Sequence, residues 1–172
     1  MDLVQATDII FLLRVRGEAG SAWKLALQTD TSTDESRTYD STPTKDGTKK
    51  TVGAYEGTHS LSSLLGQGDE FIDKIKDQVR KQQPEGLEVW EINRTNISEE
   101  STTTLLGEYS RDVVTSYGKS AGAEGNVELT IETEIAEGPV TGEVTVTPEL
   151  RATLLDLANE LEFEQPTETA GA

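Results

Sequence analysis

The sequence predicts a mainly β protein: an antiparallel sandwich or barrel of about eight strands, with one packing helix and extended N- and C-terminal arms. Three observations carry this. The apolar residues fall in short runs that alternate with polar ones, the period of a half-buried strand. Gly-, Pro- or hydroxyl-rich turns separate these runs. A helical period appears in only two segments. A chain of 172 residues has the length of one domain with one core, so residues 1–172 are read as a single domain.

Residues 1–7 read as an N-terminal arm. Asp8–Arg16 (DIIFLLRVR) reads as a strand and Gly17–Ser21 as a turn. In Trp23–Asp30, Trp23, Leu25 and Leu27 share one face, against Lys24, Ala26 and Gln28 on the other. Residues 29–50 then contain no aliphatic side chain, one aromatic residue (Tyr39), one Pro and one Gly. The stretch 31–50 is therefore expected to be a long loop, and loops of that length are usually functional or disordered. A β-like pattern resumes at Thr51–Leu65 and closes at Gly66–Gly68.

Asp69–Gln83 is the clearest helix. Asp69 suits the N-cap, and Phe71, Ile72, Ile75 and Val79 form an apolar stripe expected to pack on the sheet. Acidic residues lead and Lys76, Arg80 and Lys81 close it, in the sense the helix dipole favours; Pro84 stops it. Leu87–Arg94 is a strand, and a turn at Thr95–Ser101 leads to one long strand, or two with a break near Gly107. In Asn126–Ile135, Val127, Leu129, Ile131, Thr133 and Ile135 share a face opposite Glu128, Glu132 and Glu134. A turn at GPVTG precedes a last strand, EVTV. Residues 148–172 are expected to form a C-terminal helix and arm, with Thr147 as cap, Pro148 in the first turn and a stripe of Leu150, Leu154, Leu157 and Leu161.

The net charge is −17. That balance opposes binding to nucleic-acid phosphates, which depends on Lys and Arg. There is no Cys, so disulfides and thiolate chemistry are excluded. The apolar run Ile9–Leu13 is too short to span a membrane. It follows Asp2 and Asp8 rather than a basic region, so it does not read as a signal peptide. The expectation is a protein made and kept in a cytoplasm.

No catalytic constellation emerges. His59, the one histidine, has no Cys or second His for a metal site and reads as a strand residue at a surface or interface. No serine sits in a nucleophile elbow, and the turn glycines make no phosphate-binding fingerprint. Carboxylates are plentiful, but an aromatic content of 5% offers few platforms for a sugar. The acidic segments lack calcium-loop spacing. The chain is read as a non-enzyme without catalytic residues, metal or cofactor.

The order of segments resembles the major tail proteins, or tail-tube proteins, of long-tailed non-contractile bacteriophages, in the lactococcal-phage-like branch. The resemblance runs along nearly the whole chain: DIIFLLRV, then WKLALQTDTSTDESRTYDSTPTKDGTKKT, then YEGTHSLSSLLGQGDEFIDKIKDQVRKQQPEGLEVWEIN, then GEVTVTPEL and FEQP. The TKDG tip, the helix followed by a VW strand and the G-x-V-T-x-T-P-E end are specific in combination. The leucine-rich segment between TPEL and FEQP and the acidic balance depart from the pattern.

The resemblance implies a structural virion subunit, assembled in the bacterial host cytoplasm, that stacks as hexameric rings into a tail tube. The implied partners are further copies of itself, a tape-measure protein inside, and tail-terminator and distal tail proteins at the ends. DNA would pass during genome ejection without specific binding. The long polar segment would reach neighbouring subunits through Arg37, Tyr39, Asp40, Lys45, Asp46, Lys49 and Lys50. Within 31–50, four acids balance four bases. Glu128, Glu132 and Glu134 are candidates for an acidic lumen or outer face. Two other readings stay open: a secreted β-sandwich binding module, and another virion subunit such as a tail terminator.

Overall fold

The computed structural model describes residues 9–19, 22–24, 28–65, 70–93, 104–123, 125–145 and 148. Among them are seven strands and one helix: β1 (Ile9–Val15), β2 (Trp23–Lys24), β3 (Gln28–Thr44), β4 (Gly47–Leu64), α1 (Glu70–Arg80), β5 (Leu87–Asn93), β6 (Thr104–Ser120) and β7 (Glu128–Thr145). The N-terminal arm, the Asp69 cap and the C-terminal helix after Pro148 are expectations that fall outside these residues.

All seven strands belong to one sheet in the order β2-β1-β5-β6-β7-β4-β3, and every neighbouring pair is antiparallel. The two end strands, β2 and β3, are consecutive in the chain with three residues between them. Such a link spans at most about 15 Å, so the sheet must curl until its edges approach. Gln28, at the head of β3, marks the seam. Its amide donates to the Phe11 carbonyl at 2.8 Å and accepts from the Phe11 N–H at 3.3 Å. The side chain thus supplies β1 with the partners a neighbouring strand would give. The result is a barrel-like layer rather than two separate sheets.

The core follows the alternation of the strands. Phe11, Leu13 and Val15 on β1 meet Leu61 of β4, Leu87 and Val89 of β5, Val114 of β6 and Ile131 of β7. The other face of β1 also buries apolar residues: Ile10 and Leu12 cluster with Ile92, beside Trp90 and Val144. β1 is accordingly apolar on both faces, which explains its uninterrupted IIFLL run.

α1 packs against β6 and adds Phe71 and Ile75 to the core. The expected stripe needs one correction. Val79 is 40% exposed, whereas Gln78 is 3% exposed. Around the helix Val79 lies between the buried Ile75 and Ile72, so the period alone does not expose it; it sits in the last turn, next to the helix end at Arg80. Gln78 is held inside because its amide donates to Glu85 Oε2 at 2.7 Å and accepts from the Gly86 N–H at 2.9 Å, tying the last helical turn to the start of β5.

Two other expectations change. Residues 31–50 are not a loop but parts of two paired strands. Of the two readings left open for the segment around Gly107, the single long strand holds: β6 runs through Gly107 without a break. The expected turn at Gly138–Gly142 lies inside β7: Tyr109 pairs with Val140 and Arg111 with Glu137, so a register shift absorbs Gly138 and Pro139. A bulge is where a strand tolerates Pro, and Gly138 takes a φ of 104° there.

Candidate assembly surface

The polar stretch makes a hairpin because its composition suits strands even without aliphatic residues. Thr recurs through β3 and the first half of β4, and branching at Cβ favours the extended backbone. The tip is the turn at Lys45 and Asp46, where the Thr44 hydroxyl donates to the Gly47 carbonyl at 2.6 Å and Gly47 takes a φ of 132°.

Among the described residues, β4 is paired on both sides only over Thr58–Ser63, with β3 and with β7. From Gly57 to Gly47 its partner among the described residues is β3 alone. The hairpin therefore leaves the body as a two-stranded arm, about ten residues per strand, or about 35 Å at the rise of a strand. Nearly all of it is exposed.

The expected contact residues all lie on this arm. Tyr39 stands opposite Val52, Asp40 opposite Thr51, Ser41 opposite Lys50 and Thr42 opposite Lys49. Arg37 is opposite Tyr55, and Lys45 and Asp46 form the tip. Tyr39 and Val52 are 63% and 56% exposed and make an apolar pair on one face, with Lys50 and Pro43 beyond. Among the described residues, Arg37, Lys45, Lys49 and Lys50 take no ion-pair partner. A register shift between Arg37 and Tyr39 sets Thr38 against Gly53 and Ala54. A Cβ at Gly53 would lie 2.8 Å from the Thr38 carbonyl oxygen, so only glycine allows this close approach.

The arm is clamped at its root. The Tyr55 hydroxyl donates to Glu35 Oε1 at 2.6 Å, and its ring lies over Gly57, where a Cβ would also meet Ile135 at 2.8 Å. Burial, with the Glu35 carboxylate beside it, pushes the Tyr55 hydroxyl up to about 12. One row further in, Thr33 of β3 and Thr133 of β7 both stand opposite His59 of β4. The Thr33 hydroxyl donates to Glu91 of β5 at 3.0 Å.

His59 itself corrects an expectation. It is 4% exposed, with Nδ1 at 2.7 Å from Asp112 Oδ2 and its ring edge-on to Phe11 at 5.4 Å. Thr133 donates to the same carboxylate and Ser110 to its other oxygen at 2.7 Å. In this cluster the serine bonds the carboxylate and not the imidazole. Asp112, in the polar-flanked run SRDVV, gave no sign of burial; its neighbour Val113 is the exposed one, at 39%. Among the described residues no group of His, Asp or Glu is placed to hold a metal ion, and no helix is long and apolar enough to cross a membrane.

The acidic row is as regular as the alternation implied. Leu129, Ile131, Thr133 and Ile135 are buried, while Glu128, Glu132 and Glu134 are exposed on the opposite face of β7. Their cross-strand neighbours are uncharged: Ser60 and Ser116 flank Glu132, and Thr58 and Val113 flank Glu134.

Comparison with known proteins agrees with this architecture. The sequence profile of the phage tail tube protein family matches residues 3–145. A tail protein of Staphylococcus phage phiMR25 is 32% identical over 78 residues, which are 45% of this chain and 40% of that protein. The chain thus aligns with less than half of that relative's length.

Among solved structures, the SPP1 tail tube superposes with a TM-score of 0.68 at 16% identity, covering 98% of this chain and 95% of the other. The tail of a gene transfer agent particle, refined with C6 symmetry, gives 0.56 at 11% identity, covering 83% and 98%. A chain of the sheath–tube complex of an extracellular contractile injection system gives 0.56 at 17%, covering 84% and 93%. These likenesses are of fold. With the profile spanning most of the sequence, the chain belongs to the phage tail tube protein family.

Proposed function

We propose that the protein is a non-enzymatic virion subunit that polymerises into the phage tail tube as stacked hexameric rings, with the β3–β4 arm as its principal contact with another copy. The observation that carries this is the arm itself. An isolated two-stranded hairpin is marginal in water, and a ribbon whose edges and cations take no partner among the described residues, with an exposed Tyr39–Val52 pair, is suited to a partner surface. The arm is neutral overall within a chain of net charge −17, and its cationic tip is complementary to an acidic row such as Glu128, Glu132 and Glu134 on a second copy.

In this reading the polymer is a conduit for DNA, and acidic walls repel phosphates rather than bind them. A tape-measure protein would fill the tube during assembly, and terminator and distal tail proteins would close its ends. The fold likeness to tubes of tails and injection systems supports the ring arrangement.

Electron microscopy and light scattering of the concentrated subunit across a salt series test the proposal. Rings or tubes are expected, and more of them with added salt, because screening relieves repulsion between acidic subunits. Strict monomers at every concentration and salt would overturn it.

A further inference from the structure

The cluster around Asp112 has a use that packing alone does not explain. Its carboxylate is 2% exposed and gathers hydrogen bonds from three strands: His59 of β4, Ser110 of β6 and Thr133 of β7. Burying a carboxylate costs several kcal/mol even among good partners, and apolar residues of similar volume often hold a core as well or better. Apolar neighbours such as Val114, Ile131 and Ile135 are at hand.

The location suggests the reason. His59 lies one residue inside Thr58–Glu134, the last pair joining β4 to β7 before the arm departs. At the same level the ladder between β6 and β7 is irregular, with shifts between Arg111 and Asp112 and between Val114 and Ser116. The register of β7 against β6 is therefore irregular beside the branch, where the side-chain bonds converge, while β4 stays in register with β3 and β7. The Thr33–Glu91 bond ties the β3 side of the same row to the opposite wall.

Resting on the reading of the arm as the contact element, we propose that Asp112 is a positioning residue: by collecting donors from β4, β6 and β7 at the branch, it fixes the angle at which the arm leaves the body. An arm held at one angle meets its partner surface without first being ordered.

The chain has no Cys, so a nitroxide pair at Ser36→Cys and Asp77→Cys reports this angle by pulsed electron spin resonance on dilute, unassembled subunits. Ser36 precedes the Thr38 bulge, which keeps bending of the distal ribbon out of the measurement. A narrow distance distribution is expected in the parent and in Asp112→Asn, which keeps a side-chain acceptor. In Asp112→Leu and Thr133→Val it should widen roughly twofold, and tube yield should fall about tenfold as the competent fraction falls. If Asp112→Leu does not fold, Thr133→Val, which removes one hydroxyl at constant shape, decides the matter. A width unchanged in the folded variants overturns the positioning role, whatever tubes form. Parental tube yield from a widened variant overturns the arm reading beneath it.

Discussion

Gln78 and Val79 are adjacent on α1, yet the polar residue is buried and the apolar one exposed. The bonds from Gln78 to Glu85 and Gly86 hold the polar side chain inside; hydrophobicity does not decide this. A direct contrast follows. Ile75, with no exposed surface, should tolerate Asp poorly, losing about 2–5 kcal/mol or more and in the extreme failing to fold. The same change at Val79 should stay within about 0.5 kcal/mol. Equal melting temperatures for the two variants would show that the helix does not bury the face described.

Tyr55 supplies a pH signature. With its hydroxyl raised to about 12 from an ordinary 10.0, the folded state keeps a proton that the unfolded chain gives up. The stability this contributes is full below pH 10 and is lost as pH rises from 10 toward 12. Tyr55→Phe should remove the latest phenolate step in an absorbance titration and flatten the fall of stability over that window. An unchanged titration would place Tyr55 in water.

At the scale of elements, the hydrophobic pattern made β1, β5, α1 and the inward face of β7 legible in the sequence. The β3–β4 arm was not legible as strands, because period-two reading depends on apolar residues and the arm has almost none. Its strand signal lay in the repeated Thr and in the Lys-Asp-Gly tip. The buried Asp112 cluster was hidden for the opposite reason: it is made of residues whose default place is the surface, and only the pairing of three strands brings them together.

Since the arm makes few bonds to the body, its amides from Tyr39 to Val52 should exchange fast in dilute subunits and slowly in the polymer. Reversing charge at Lys45, Lys49 and Lys50 should weaken assembly in a salt-dependent way, whereas Thr-to-Ser changes nearby should alter it little. A charge-reversed subunit that assembles equally at low and high salt would contradict the electrostatic part of this account.

For the whole molecule, two parts share one chain. A curled sheet with an apolar interior carries the stability, while an arm of about 35 Å, at the rise of a strand, projects from it with little in its own composition to keep it folded. Under the proposed function such a division is useful: the body would fold alone, and assembly energy would come from a surface that stays hydrated until a neighbour arrives. The most direct test is to delete Tyr39–Val52 and join Thr38 to Gly53 through Asn-Gly, leaving the Tyr55–Glu35 clamp and the core intact. Circular dichroism and thermal melting should show a folded body of near-parental stability, since shortening an exposed ribbon removes little buried surface. Electron microscopy of that folded variant should show no tubes under salt conditions in which the parent forms them. Tubes of normal length from the shortened subunit would contradict the central claim that the arm builds the polymer.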